Sequence, residues 1–337
     1  MTDLSTSYMG LKLKNPLVVS ASPLSQSLDN IRRLEDAGVA AIVNYSLFEE
    51  EITCEQYQLD HYLTNATESV AESITYFPTP ASDALGPDEY LEHIYKAKKA
   101  VNIPIIGSLN AHSDGGWVTY AKQIQQAGAD ALELNVYFLA TDVKTSSQEV
   151  EDVYLDILKA VKSNVSIPVA VKLSPFFSSM ANMATRLDTS GADALVLFNQ
   201  FYQPDIDLDS LTVVPNILLT TPQAMRLPLR WVAILYGQVY ASLAATGGIH
   251  SARDVIKMIM AGADVTMLCA VLLKHGIPQA EEILQGVEQW MEEHEYVSLG
   301  QMRGSMSQKF CVNPKAFERT NYMKGLQGFD NSSNLKK

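Results

Sequence analysis

Four stretches of the chain repeat one local pattern. "DAGVAAIVNYS" (36–46), "QAGADALELNVY" (126–137), "SGADALVLFNQ" (190–200) and "MAGADVTMLCA" (260–270) each pass from a helix end through glycine into an apolar run. Two others, "VNIPIIGSLNA" (101–111) and "VSIPVAVKLSP" (165–175), open such a run on proline. Glycine suits the residue after a helix, where positive φ penalises a Cβ. The runs are short and almost continuously apolar, the mark of strands buried on both faces. Between them, "GGWVTYAKQIQQ" (115–126), "QEVEDVYLDILKAVKSN" (148–164) and "SARDVIKMIMA" (251–261) space apolar residues at three to four, as helices do. Strands are expected near residues 16–20, 39–45, 103–109, 130–135, 168–173, 193–198, 239–245 and 264–269. Eight strands alternating with helices, joined by right-handed crossovers, predict an α/β fold: a closed (β/α)8 TIM barrel rather than an open doubly wound sheet.

With 337 residues, 47% of them hydrophobic, the chain can bury a large core. The expected layout is a barrel over residues 1–300 and a helical tail over 301–337. Two gaps, 46–87 and 199–238, leave from strand C-termini, the face where barrel active sites are assembled. They read as extended top-face loops, either substrate lids or subunit contacts. A net charge of −13 argues against nucleic-acid and anionic-membrane partners. Cys54, Cys269 and Cys311 are scattered without metal spacing, so neither a disulfide framework nor a metal site is expected. No signal peptide is read at the start, and no apolar run approaches the roughly 18 residues of a spanning helix. A soluble cytoplasmic protein is the expectation. His61, His112 and His250 read as solvated loop residues, and Trp117, Trp231 and Trp290 as packing residues of helices.

Gly247 and Gly248 stand where the seventh strand meets the next helix. Bare backbone amides at a helix N-terminus form an anion site, and Ser251 is placed to cap that helix. The amides of Cys269 and Ala270, after the eighth strand, belong beside the same corner. A plain turn would explain one isolated glycine pair. Beside the last strand of an eight-stranded barrel, a phosphate is the stronger reading. Lys172 ends an apolar strand, so its ammonium needs an anionic or strongly accepting partner; Glu133 is one candidate. Asn135 and Asn199 end strands four and six with amides that both donate and accept, suited to a planar ring edge or to loop backbone.

The ordered segments "NPLVVSAS" (15–22), "ELNVY" (133–137), "VKLSP" (171–175), "FNQ" (198–200) and "TGGIHSARDVIKMIMAGAD" (246–264) resemble the dihydroorotate dehydrogenase family, more narrowly its soluble class. The resemblance implies an FMN-binding barrel that oxidises dihydroorotate to orotate in pyrimidine biosynthesis, and a homodimer. It implies Lys172 against the N1/O2 side of the flavin, and Asn135 and Asn199 on cofactor or substrate. It also implies Ser20 and Ala21 beneath the ring, Ser46 at the pocket, and Gly247, Gly248, Cys269 and Ala270 around the phosphate.

Three departures bear on the substrate half of that pattern. Asn44-Tyr45-Ser46 replaces the family's Thr-Lys-Ser, and Phe138 stands where the soluble class has its catalytic cysteine. "AESITYFPTPASDALG" (71–86) occupies the place of the substrate loop. Tyr137, Asp142 and Tyr45 are the candidate replacement bases, although a tyrosine titrates near pH 10. The expectation is an FMN oxidoreductase acting on a CH–CH bond of a planar, pyrimidine-like small molecule, with altered substrate. The alternatives are a non-catalytic flavin-bound barrel serving a redox partner protein, or a flavin-free phosphate-binding aldolase or isomerase with Lys172 as its amine.

Overall fold

The structure is a computed structural model that describes residues 2–49, 87–111, 116–200, 204–214, 218–314 and 322–324. The N-terminus forms a hairpin of β1 (Thr6–Tyr8) and β2 (Leu11–Leu13). The barrel strands follow as β3 (Leu17–Val19), β4 (Ala41–Phe48), β5 (Ile105–Ala111), β6 (Ala131–Val136), β7 (Val169–Leu173) and β8 (Ala194–Leu197). A second hairpin, β9 (Asp205–Asp207) and β10 (Thr212–Val214), precedes the last barrel strands, β11 (Ser242–Thr246) and β12 (Val265–Leu268). The eight close in sequence order, with β12 pairing back onto β3, and every barrel pairing is parallel. The expected (β/α)8 barrel is the fold.

The outer layer includes α1 (Leu28–Asp36), α2 (Pro87–Ala100), α3 (Trp117–Gln126), α4 (Ser147–Lys162), α5 (Met180–Thr189), α6 (Arg226–Leu235) and α7 (Ala252–Ala261). The glycines of the four repeats, Gly38, Gly128, Gly191 and Gly262, all have positive φ, as their place after a helix requires. The gap at 199–238 is less of a loop than its sequence suggests. It holds the β9–β10 hairpin, a 3-10 turn at Pro222–Met225, and α6. Pro228 masks that helix in the sequence, yet it sits in the first turn, where its missing N–H is no loss.

One fastening device recurs on the floor of the barrel. The aspartate of each Gly-Ala-Asp repeat accepts a hydrogen bond from the first residues of the strand before it. Asp130 takes Ile105 N–H at 2.7 Å, Asp193 takes Val169 N–H at 2.7 Å, and Asp264 takes Leu243 N–H at 2.8 Å. Each also meets a cation: Lys98 at 2.7 Å, Lys162 at 2.6 Å, and Arg303 respectively.

Two apolar clusters result. One fills the space between barrel and helices, and Trp117, Trp231 and Trp290 all pack into it. The other lies inside the barrel. Its lowest inward positions include Ala41, Ala131, Ala170, Ala194 and Ala244, and such small side chains leave room along the axis. Tyr8 and Met9 of the N-terminal hairpin belong to this inner cluster and stop the barrel from beneath.

Candidate active site at the C-terminal face

Side chains alternate along a strand, so the residues above the alanine floor also point inward. On β6 the inward series runs Ala131, Glu133, Asn135; on β7 it runs Ala170, Lys172, Ser174. Lys172 Nζ donates to Glu133 Oε1 at 3.3 Å, and the two side chains are only 8% and 1% exposed. The ion pair that the sequence left open is therefore present, and it stands in the middle of the barrel. A buried pair of this kind is weak evidence of stabilisation, because two charges have been taken out of water. Above it, Asn199 Nδ2 donates to Asn135 Oδ1 at 2.7 Å, joining the ends of β6 and β8 across Lys172.

The first two strands contribute small groups. Ser20 and Ser22 are buried after β3, with Ser20 N–H bonded to Leu268 O at 2.9 Å, and Ala21 lies between them. Ser46 and Ser108 share a 2.9 Å hydrogen bond between β4 and β5. Cys269 ends β12. Burial pushes its thiol up, while nearby Lys172 and the Ser22 hydroxyl pull it back, which places all three in one neighbourhood.

The glycine corner is built from two unlike residues. A Cβ on Gly247 would meet nothing within 4 Å, whereas one on Gly248 would strike Met225 N and lie 2.9 Å from Thr221 O. Both have positive φ. Gly248 is thus required by the turn that precedes α6, and its N–H donates to Thr220 Oγ1 at 3.2 Å. Gly247 faces open space. The register Thr246↔Met267 sets this corner against Cys269 and Ala270 at the next strand end. The start of α7 is capped by Asp254, whose Oδ2 accepts from His250 N, Ser251 N and Ser251 Oγ at 3.1, 3.0 and 2.9 Å. The Ser-x-x-Asp spacing carried that signal, although Ser251 alone was read as the cap. Thr220 was not readable, because only the fold brings it there.

The candidate bases separate. Tyr137 is half-buried at the top of β6, beside half-buried Phe138. Asp142 is exposed and accepts from Lys144 N at 2.9 Å within its own turn. Tyr45 points away from the mouth. Its ring packs edge-on against Tyr90 and His93 of α2, with centroids 5.0 and 5.5 Å away. Among the described residues no cluster of His, Cys, Asp or Glu could hold a metal. His250 is half-buried, its Nε2 2.8 Å from Thr220 O, rather than solvated. Cys54, His61, His112 and residues 71–86 lie outside the described residues.

An eight-stranded parallel barrel, with polar side chains gathered at strand C-termini and Gly247 open beside its last strand, has the architecture of a barrel enzyme. Its kinship is specific. Residues 81–291 match the dihydroorotate dehydrogenase family, and the chain belongs to that family of oxidoreductases. It is 29% identical over 310 residues to the dihydroorotate dehydrogenase B (NAD(+)) catalytic subunit of Thermoplasma volcanium, covering 90% of this chain and 98% of the relative. The catalytic subunit of Thermoplasma acidophilum is 28% identical over 310 residues, covering 90% and 99%. The NAD-dependent dihydropyrimidine dehydrogenase subunit PreA of Escherichia coli is 23% identical over 332 residues, covering 90% of this chain and 76% of the relative. Among the described residues no helix is long and apolar enough to cross a membrane.

Proposed function

We propose that the chain is an FMN-dependent oxidoreductase acting on a CH–CH bond of a small planar ring. The observation that carries this reading is the buried Lys172 ammonium on the barrel axis, framed by the Asn135–Asn199 bridge and by the open Gly247 corner. These groups fit a flavin nucleotide. The amides at Gly247, Cys269 and Ala270 suit its phosphate, with Gly248 shaping the turn. Small residues at Ser20 and Ala21 let a ring lie close, while Ser46 and the two asparagines offer edge contacts. FMN, when bound, supplies the hydride acceptor. Lys172 opposes the negative charge that builds at the pyrimidine edge of the flavin ring on reduction.

Proton removal from the substrate falls to the chain's own groups. Tyr137 is the candidate base best placed for it, since Tyr45 faces α2 and Asp142 is engaged in its turn. A substrate without a carboxylate is the second reading, and the dihydropyrimidine dehydrogenase relative accords with it. Two observations favour it. No lysine stands at the end of β4, and residues 46–86 carry eight Asp and Glu but no Lys or Arg. A partner subunit that relays electrons fits relatives named as subunits.

The test is anaerobic mixing of the purified yellow protein with dihydroorotate and, separately, with 5,6-dihydrouracil. Bleaching of the flavin band by either ring supports the reading and chooses the substrate class. A colourless preparation that refuses FMN would point to the flavin-free aldolase or isomerase. Retained FMN that no dihydropyrimidine reduces would point to the non-catalytic barrel. Lys172→Ala is expected to lose flavin affinity or reducibility.

A further inference from the structure

The reaction needs nothing from the barrel floor, yet the floor holds an unexplained polar group. Tyr8 is 1% exposed, its ring enclosed by the inner cluster, and its hydroxyl has no hydrogen-bond partner. A buried hydroxyl left unpaired is costly, so its presence calls for a reason. One layer up, Glu133 shows the complementary feature. Its Oε1 receives Lys172, but its Oε2 is buried and unpartnered. The two orphans are close enough for the Glu133 charge to act on the Tyr8 phenol. Burial holds the phenol well above its usual range, and Glu133 is the largest charge acting on it, so Tyr8 stays protonated and can donate. Tyr8 shares its cluster with the five floor alanines, whose small side chains leave room beside its ring.

We propose that Tyr8 is a positioning residue for Lys172, acting through one internal water that accepts from Tyr8 Oη and donates to Glu133 Oε2. Buried polar atoms without protein partners are the groups that internal waters satisfy. The water spreads the carboxylate's charge downward, so that Glu133 orients Lys172 without cancelling its field at the mouth. The floor hairpin thereby tunes a group about two layers above it. The inference rests on the reading of Lys172 as the flavin-facing cation, and its test separates the two.

The first measurement is the redox equilibrium of bound flavin against a reference dye, in Tyr8→Phe, Glu133→Gln and the double variant. Tyr8→Phe removes only the hydroxyl. It is expected to disfavour reduced flavin by about two- to tenfold, the factor that one net hydrogen bond represents. Glu133→Gln is expected to favour reduced flavin, and Tyr8→Phe should then have little further effect. Packing alone would not produce that dependence. No shift, a shift toward reduced flavin, or the same shift in both backgrounds overturns the inference. The second measurement needs no flavin: a crystal structure that orders internal water. A water within hydrogen-bonding distance of both atoms supports the inference, and a dry or apolar gap between them overturns it. Colourless protein would end the functional reading alone, because the crystal still decides the role of Tyr8.

Discussion

Lys172 and Tyr45 stand on opposite sides of the barrel wall, the first paired with Glu133 inside it and the second packed on Tyr90 of α2. Lys172 needed only its place in an apolar strand to be marked, since a lone ammonium there must have a partner. Tyr45 was misread for a physical reason. Between Val43↔Ile106 and Ser46↔Ser108 the register of β4 slips by one residue. An extra residue in a strand reverses the facing of every residue beyond it, and counting in twos cannot detect it. Asp142→Asn is expected to leave flavin reduction by substrate unchanged, because the residue is exposed and turned into its own loop; stopped-flow bleaching checks this. The glycines should also differ. Gly247→Ala has space but adopts positive φ, so it should cost about 1–2 kcal/mol in stability while weakening FMN retention. Gly248→Ala collides with backbone at Met225 and should reduce the folded yield itself. Comparing urea midpoints with bound flavin per mole separates a phosphate contact from a packing requirement.

At the level of elements, all eight strands were readable from apolar runs punctuated by glycine and proline. The same runs explain why the floor clamps were missed. The glycine of Gly-Ala-Asp accounts for the repeat by itself and masks the aspartate, whose partner is a strand start some 21 to 25 residues earlier in the chain. That pairing exists only once neighbouring strands lie parallel. Surface ion pairs contribute little, so Lys162 is a minor part of the clamp. The hydrogen bond from Val169 N–H to the Asp193 side chain carries more. Asp193→Ala is expected to cost about 1–3 kcal/mol, the penalty for a strand N–H stripped of its acceptor. Lys162→Met should cost under about 1 kcal/mol. Urea denaturation of the two variants checks the ordering, and equal losses would contradict the assignment of the main role to the backbone bond.

In the whole molecule, His93 helps tie the first βα unit to the second. His93 of α2 lies with Nε2 2.7 Å from Ser25 O in the turn after β3, and its ring rests on Tyr45 of β4. Burial lowers its pKa from 6.5, Lys96 adds to the lowering, and the Ser25 carbonyl partly opposes it. Below pH 6.5 the unfolded chain binds a proton at His93 that the folded chain resists, so folding loses ground as pH falls. This stability is complete above pH 6.5 and is lost as the pH passes down through the depressed folded value. Asp264 has the opposite tendency, because burial raises its pKa. Its contribution is present below the unfolded value of 3.8 and fades as pH climbs through the folded value. The His93 term should therefore be visible just below pH 6.5 as a fall in melting temperature. His93→Gln keeps a donor for the Ser25 carbonyl and removes the titration. It should flatten that part of the profile while leaving the melting temperature at pH 8 nearly unchanged. A profile equally steep with glutamine in place would assign the acid sensitivity to other groups.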